Sequence, residues 1–138
     1  MMPEVFHLSR DDGEKFTFDR PFVVIAVRDP GSPPVEFAEC PSRLAVLEME
    51  FHDLDYVPPE ISLDGLIPYT KDHAREIIQF VQAWREKADL ILFTCEAGLS
   101  RSAALAAAVA YGLLSRWHVP RKGVPNRRVF LETITSWQ

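Results

Sequence analysis

Cysteine is scarce: Cys40 and Cys95 are the only two in 138 residues. Two thiols do not make the disulfide framework of a small secreted domain, and a chain of this length can bury an adequate core without staples. A reducing cytoplasm is the expected compartment. No stretch is long and apolar enough to span a bilayer. Met1 to Asp12 lacks the basic region followed by an apolar core that marks a secretion signal. Positive charge is also in deficit, with a formal net charge of −5. That balance speaks against nucleic acid and against anionic membrane as partners. Internal repeats, low-complexity tracts and inter-domain linkers are absent, and His52, His73 and His118 have no metal-ligand spacing. Neither a metal nor another cofactor is expected. The composition, 47% hydrophobic and 25% charged, is that of an ordinary soluble domain. One domain over residues 1–138 is expected, with 1–21 as its N-terminal strand or hairpin region.

The pattern along the chain predicts an α/β fold, a mainly parallel central sheet flanked by helices. Val5–Leu8 and Phe16–Phe18, separated by the polar turn Asp11-Asp12-Gly13-Glu14, read as a short hairpin or as an edge strand and a loop. Phe22–Val27 is β-branched and apolar on both faces, as a central parallel strand would be. It stops at the turn-rich Asp29-Pro30-Gly31-Ser32-Pro33-Pro34. Leu44–Phe51 alternates and reads as the next strand. Thr70–Lys87 is amphipathic, with Ala74, Ile77, Ile78, Val81 and Trp84 on one face. Ala88–Thr94 is a continuous apolar strand, and Ser100–Leu114 an Ala-rich helix. After a basic connector, Arg116 to Pro125, Asn126 is placed to cap a terminal helix bearing Val129, Phe130, Ile134 and Trp137.

The chemistry is concentrated in Cys95-Glu96-Ala97-Gly98-Leu99-Ser100-Arg101-Ser102, between that strand and that helix. A loop closing on a helix N-terminus is an anion site, because unpaired amides and the helix dipole both favour negative charge. Gly98 permits the positive φ such a reversal needs. Cys95 would sit at the floor of the cradle as a thiolate, the nucleophilic form that helix-terminal amides and a guanidinium promote. Arg101 offers two parallel donors to phosphate oxygens, which lysine cannot do in the same geometry. The main-chain amides of Glu96, Ala97, Gly98, Leu99, Ser100 and Arg101 would surround the equatorial oxygens, where the transition-state charge resides. Ser102 could hydrogen-bond the sulfur and ease its departure.

This octapeptide resembles the Cys-x5-Arg-Ser/Thr signature of cysteine-dependent protein tyrosine and dual-specificity phosphatases, in the compact form with a Cys-x-x-Gly-x-Ser-Arg-Ser loop. The resemblance extends from about Phe22 to the C-terminus. One position departs: the family usually carries histidine before the nucleophile, and here stands Thr94. The resemblance implies metal-independent hydrolysis of phosphate monoesters through a phosphocysteine, on a phosphorylated protein or a small phosphate monoester. It also implies an aspartic general acid on a loop after a strand upstream of the nucleophile. Asp53 is first choice by its strand-end position, then Asp55, then Asp64. Such an acid protonates the leaving oxygen and later takes a proton from the attacking water. Glu96, Ala97 and Leu99 bring no positive charge, unlike the lysine-bearing loops of inositol-lipid phosphatases.

Other readings exist for the same residues. A rhodanese-like sulfurtransferase also centres an anion loop on cysteine, and a pseudophosphatase would bind phosphorylated partners without hydrolysis. The Arg101-Ser102 pair entering an Ala-rich helix favours the phosphatase. Cys40 could form a disulfide with Cys95, or be an ordinary packed thiol, the commoner case. Arg116, Arg121, Lys122, Arg127 and Arg128 are expected to be a solvated basic edge rather than a substrate platform.

Overall fold

The computed structural model describes residues 2–54, 64–114 and 124–137. Its strands are Glu4–Ser9 (β1), Phe22–Arg28 (β2), Arg43–Glu50 (β3) and Leu90–Cys95 (β4), and its helices Arg10–Lys15 (α1), Lys71–Trp84 (α2), Arg101–Leu114 (α3) and Arg127–Ser136 (α4). The strands form one 4-stranded sheet in the order β1-β4-β2-β3, every pair parallel. The fold is α/β, as the strand and helix patterning predicts.

The two interior strands are the two that are apolar on both faces. Along β2, Val23, Ile25 and Val27 face one side, while Phe22, Val24 and Ala26 face the other. In β4 the corresponding sets are Ile91, Phe93 and Cys95 against Leu90 and Leu92. The first face is covered by Ala74, Ile77 and Val81 of α2, Leu105, Val109 and Leu113 of α3, and Val129 of α4. Ala103 through Ala110 are all buried, so α3 lies against its neighbours on small side chains that also favour the helix intrinsically. Among the described residues no long helix packs into the second face. Phe16, Phe18, Val35, Phe37 and Cys40 cover it from loops, the first two packing edge-on against Phe22. β3 is an edge strand and alternates, with Leu44 and Val46 exposed.

The N-terminal region corrects the hairpin alternative. β1 pairs parallel to β4, from Glu4 opposite Leu90 to Ser9 opposite Cys95. The segment read as a polar turn is helix α1, because the Ser9 side chain caps it by accepting from Asp12 N at 3.1 Å. Phe16–Phe18 is consequently not a strand. Its rings serve the second face of the sheet instead.

Parallel strands share one consequence for function. The residues following β1, β4, β2 and β3 are Arg10, Glu96, Asp29 and Phe51, and all leave the same edge of the sheet. In open α/β sheets that edge is where ligands bind.

Candidate active site

Cys95 closes β4, and its side chain is buried on the helix-covered face. Its sulfur meets donors from its own loop. Gly98 N–H donates to Sγ at 3.3 Å and Ser102 N–H at 3.4 Å, while the thiol donates to Ser102 Oγ at 3.1 Å. When the sulfur carries charge, the hydroxyl can reverse and donate to it. Cys95 and Ser102 are thus brought together as the sequence spacing suggests. Within the loop, Gly98 is buried and Ala97 and Leu99 are exposed, with Glu96 and Ser100 between those extremes.

The loop turns at Gly98, where φ is 72°. A Cβ there would run into the Ser9 nitrogen and the Leu8 carbonyl carbon, so glycine is demanded by space as well as by conformation. β1 holds the turn from outside. His7, buried on β1, hydrogen-bonds through Nδ1 to the Gly98 carbonyl at 2.9 Å. Arg10 N–H donates to the Glu96 carbonyl at 3.3 Å, and its guanidinium pairs with the Glu96 carboxylate at 3.4 Å. These contacts draw two loop carbonyls toward β1 and α1, away from the sulfur.

Arg101, the first residue of α3, is only 5% exposed. A buried guanidinium needs partners, and they come from the ends of the neighbouring strands. Nη1 donates to the Phe51 carbonyl at 2.8 Å and pairs with Asp29 Oδ1 at 2.8 Å. Nε is buried without a hydrogen-bond partner. One nitrogen of the fork is therefore spent on the protein, and Nε is not.

Asp53 follows β3 and is brought to the loop. Its Oδ1 accepts from Ser100 Oγ at 2.9 Å and from Asn126 Nδ2 at 2.6 Å. Asn126 joins three pieces: its Oδ1 caps α4 at Val129 N (3.0 Å), its Nδ2 holds Asp53, and its backbone N–H donates to the Ser100 carbonyl at 3.2 Å. Of the other acid candidates, Asp64 stands exposed in the turn before Gly65, and Asp55 lies outside the described residues. So do His118, Arg116, Arg121 and Lys122.

Three further expectations meet their surroundings here. Thr94 points to the opposite face from Cys95, beneath α1, where its methyl group fills the space that a Cβ on Gly13 would need. Its hydroxyl is therefore not on the sulfur's side of the strand. Cys40 packs on the second face, its Sγ 3.6 Å from the Phe18 carbonyl, and its own carbonyl accepts from Arg43 N at the start of β3. It thus lies across the sheet from Cys95 and near the opposite end of the strands, and both cysteines are free. The packed thiol is the correct alternative. His52 Nδ1 accepts from Ile67 N at 2.8 Å and His73 Nδ1 from Thr70 N at 3.0 Å, both local structural bonds. Among the described residues no group of three or more His, Cys, Asp or Glu side chains could hold a metal ion.

The sequence reading missed His7, Asp29 and the second role of Asn126. Asp29 had a usable signal, since it follows a strand by the same rule that selected Asp53. Asn126 was visible only as a cap. Nothing in the local sequence marks His7. In comparison with known proteins, no family model and no curated protein matches the chain.

Proposed function

We propose that the chain is a cysteine-dependent phosphatase of the protein tyrosine or dual-specificity type, acting in a reducing cytoplasm without metal or cofactor. Among the described residues no helix is long and apolar enough to cross a membrane. The observation that carries the proposal is the set of hydrogen bonds at Cys95 Sγ, which accepts from Gly98 N–H and Ser102 N–H and donates to the Ser102 hydroxyl, one residue from a buried arginine.

In the first step the Cys95 thiolate attacks phosphorus and the bond to the leaving oxygen breaks. Asp53 gives that oxygen a proton. Its Oδ1 already accepts from Ser100 and Asn126, which leaves Oδ2 to carry the proton. Arg101 and the loop amides neutralise the equatorial oxygens, the largest electrostatic contribution to such a reaction. In the second step water attacks the phosphocysteine and gives its proton to the Asp53 carboxylate. The sulfur–phosphorus bond breaks, and the returning electron pair is received by the donors on Sγ. Phosphate then leaves.

Steady release of p-nitrophenol from p-nitrophenyl phosphate in the presence of a chelator, lost in Cys95→Ser, is the expected result. Phosphate binding with no turnover would instead identify a phospho-ligand adaptor. Thiosulfate-dependent consumption of cyanide would identify a sulfurtransferase.

A further inference from the structure

The structure assigns His7, on the edge strand β1, as a positioning residue that aims the Leu99 amide at the phosphoryl group. The assignment deepens the phosphatase reading of the same site and rests on it. His7 stands opposite Phe93 in the parallel pairing of β1 with β4, and Ser9 stands opposite Cys95. Side chains alternate along each strand, so His7 emerges on the same face as Phe93 and Cys95. It is 6% exposed, and its Nδ1 lies 2.9 Å from the Gly98 carbonyl oxygen. A carbonyl only accepts, so Nδ1 is the nitrogen that carries the proton in this bond.

The peptide between Gly98 and Leu99 needs such a hold. Gly98 is free to turn either way, and its neighbours Ala97 and Leu99 are exposed, so packing does not fix the segment from the solvent side. Among the described residues, His7 is the one hydrogen-bond partner of the Gly98 carbonyl, and Leu99 N–H has none. In a trans peptide the C=O and N–H point in opposite directions, and no peptide bond among the described residues is cis. Drawing the Gly98 carbonyl to β1 therefore turns Leu99 N–H the other way, away from β1 and into the loop that carries Cys95 Sγ. A reversed peptide would take a donor from the bound oxyanion and face it with a carbonyl dipole instead. Both changes weaken the electrostatic stabilisation of the transition state. Arg10 holds the Glu96 carbonyl in the same sense, but through a backbone N–H that a change of side chain leaves in place. His7 is the part of the hold that a substitution can isolate.

The test compares His7→Leu, which fills the space without a donor, with His7→Asn, whose amide nitrogen takes the place of Nδ1. It reads kcat and KM on p-nitrophenyl phosphate, the affinity for inorganic phosphate by calorimetry, and the melting temperature, at a temperature where each variant is folded. His7→Leu is expected to lower kcat/KM about 10-fold, short of the 10²–10³ that outright loss of an oxyanion donor costs. Its phosphate affinity should fall as well. His7→Asn should recover both to within a few-fold of the native chain, whichever of the two variants melts higher. Native kcat/KM in His7→Leu overturns the assignment. So do equal losses in the two variants, which mark the shape of the imidazole rather than its donor. Should His7→Leu fail to fold, His7→Ala is compared with His7→Asn by the same criteria. If the native chain binds phosphate but does not turn over, the phosphatase reading falls. Calorimetry then decides His7 alone: weaker binding in His7→Leu, recovered in His7→Asn, sustains the assignment, and equal binding overturns it. If the native chain does not bind phosphate either, both readings fall.

Discussion

The thiol and the guanidinium of the candidate site belong to one octapeptide but are held in opposite ways. Cys95 takes its hydrogen bonds from Gly98 and Ser102, members of its own octapeptide. Arg101 takes its partners from Asp29 and Phe51, at the ends of two other strands. Asp53 belongs with the second kind, since α4 reaches it through Asn126. One half of the site is encoded locally, and the other exists only once the parallel sheet has brought its strand ends to one edge.

Substitutions can separate these halves, and the largest effect belongs to the local one. Cys95→Ser should lower turnover by roughly 10⁴–10⁶-fold, as losing a nucleophile does. Phosphate affinity should survive, because the amides and Arg101 remain. Asp53→Ala should cost about 10²–10⁴ in kcat, the range for a general acid, measured on a substrate with a poor leaving group. A silent Asp53→Ala beside a crippled Asp55→Ala would move the acid two residues along. Asn126→Ala should lower kcat less than Asp53→Ala, since Ser100 still holds the carboxylate, and it should also lower the melting temperature. Loss of the N-cap costs about 0.5–2 kcal/mol.

Smaller effects sharpen the boundary of the local half. His7→Ala removes the hydrogen bond to the Gly98 carbonyl and leaves a buried acceptor unpaired, at a cost of about 1–3 kcal/mol by chemical denaturation. If the loop were wholly self-contained, that cost would come with unchanged kcat; the contact to Gly98 predicts that kcat falls as well. His73 supplies the smallest effect. Burial holds its imidazole below the ordinary value of 6.5, despite the opposing charges of Glu76 and Asp72, and its Nδ1 must stay unprotonated to accept from Thr70 N. A folded-state pKa below the unfolded one means the unfolded chain binds more protons in that window. Stability from this group is fully present above pH 6.5 and is lost as pH falls through the folded pKa. Thermal denaturation from pH 7.5 to pH 5 should show a decline that His73→Gln lessens, the pH values being about one unit either side of the ordinary histidine range.

What was legible in the sequence follows the same division. β2 and β4 announce themselves by being apolar on both faces, α2 by its stripe, and the loop by its spacing. Each of those signals is local. β1 was ambiguous because its neighbour, β4, begins 81 residues after the end of β1, and only that pairing decides between a hairpin and a parallel edge. The polar turn after it became α1 through one Ser9 cap, which short sequence windows weigh against Gly13. Asp29 and Asn126 were read as turn and cap, which they are. Their second partners lie across the sheet edge, where no periodicity points. Thr94 shows the converse: strand alternation alone turns its side chain away from Cys95, and a histidine that does bond the loop comes from β1.

Whether the sulfur itself carries the phosphoryl group is the most direct question. A rapid denaturing quench during turnover of p-nitrophenyl phosphate, followed by peptide mass mapping, answers it. The proposed reaction predicts a phosphoryl adduct on Cys95, absent from Cys40 and absent altogether in Cys95→Ser. Turnover that persists at the native rate in Cys95→Ser, with no adduct on Cys95 in the native chain, would contradict it.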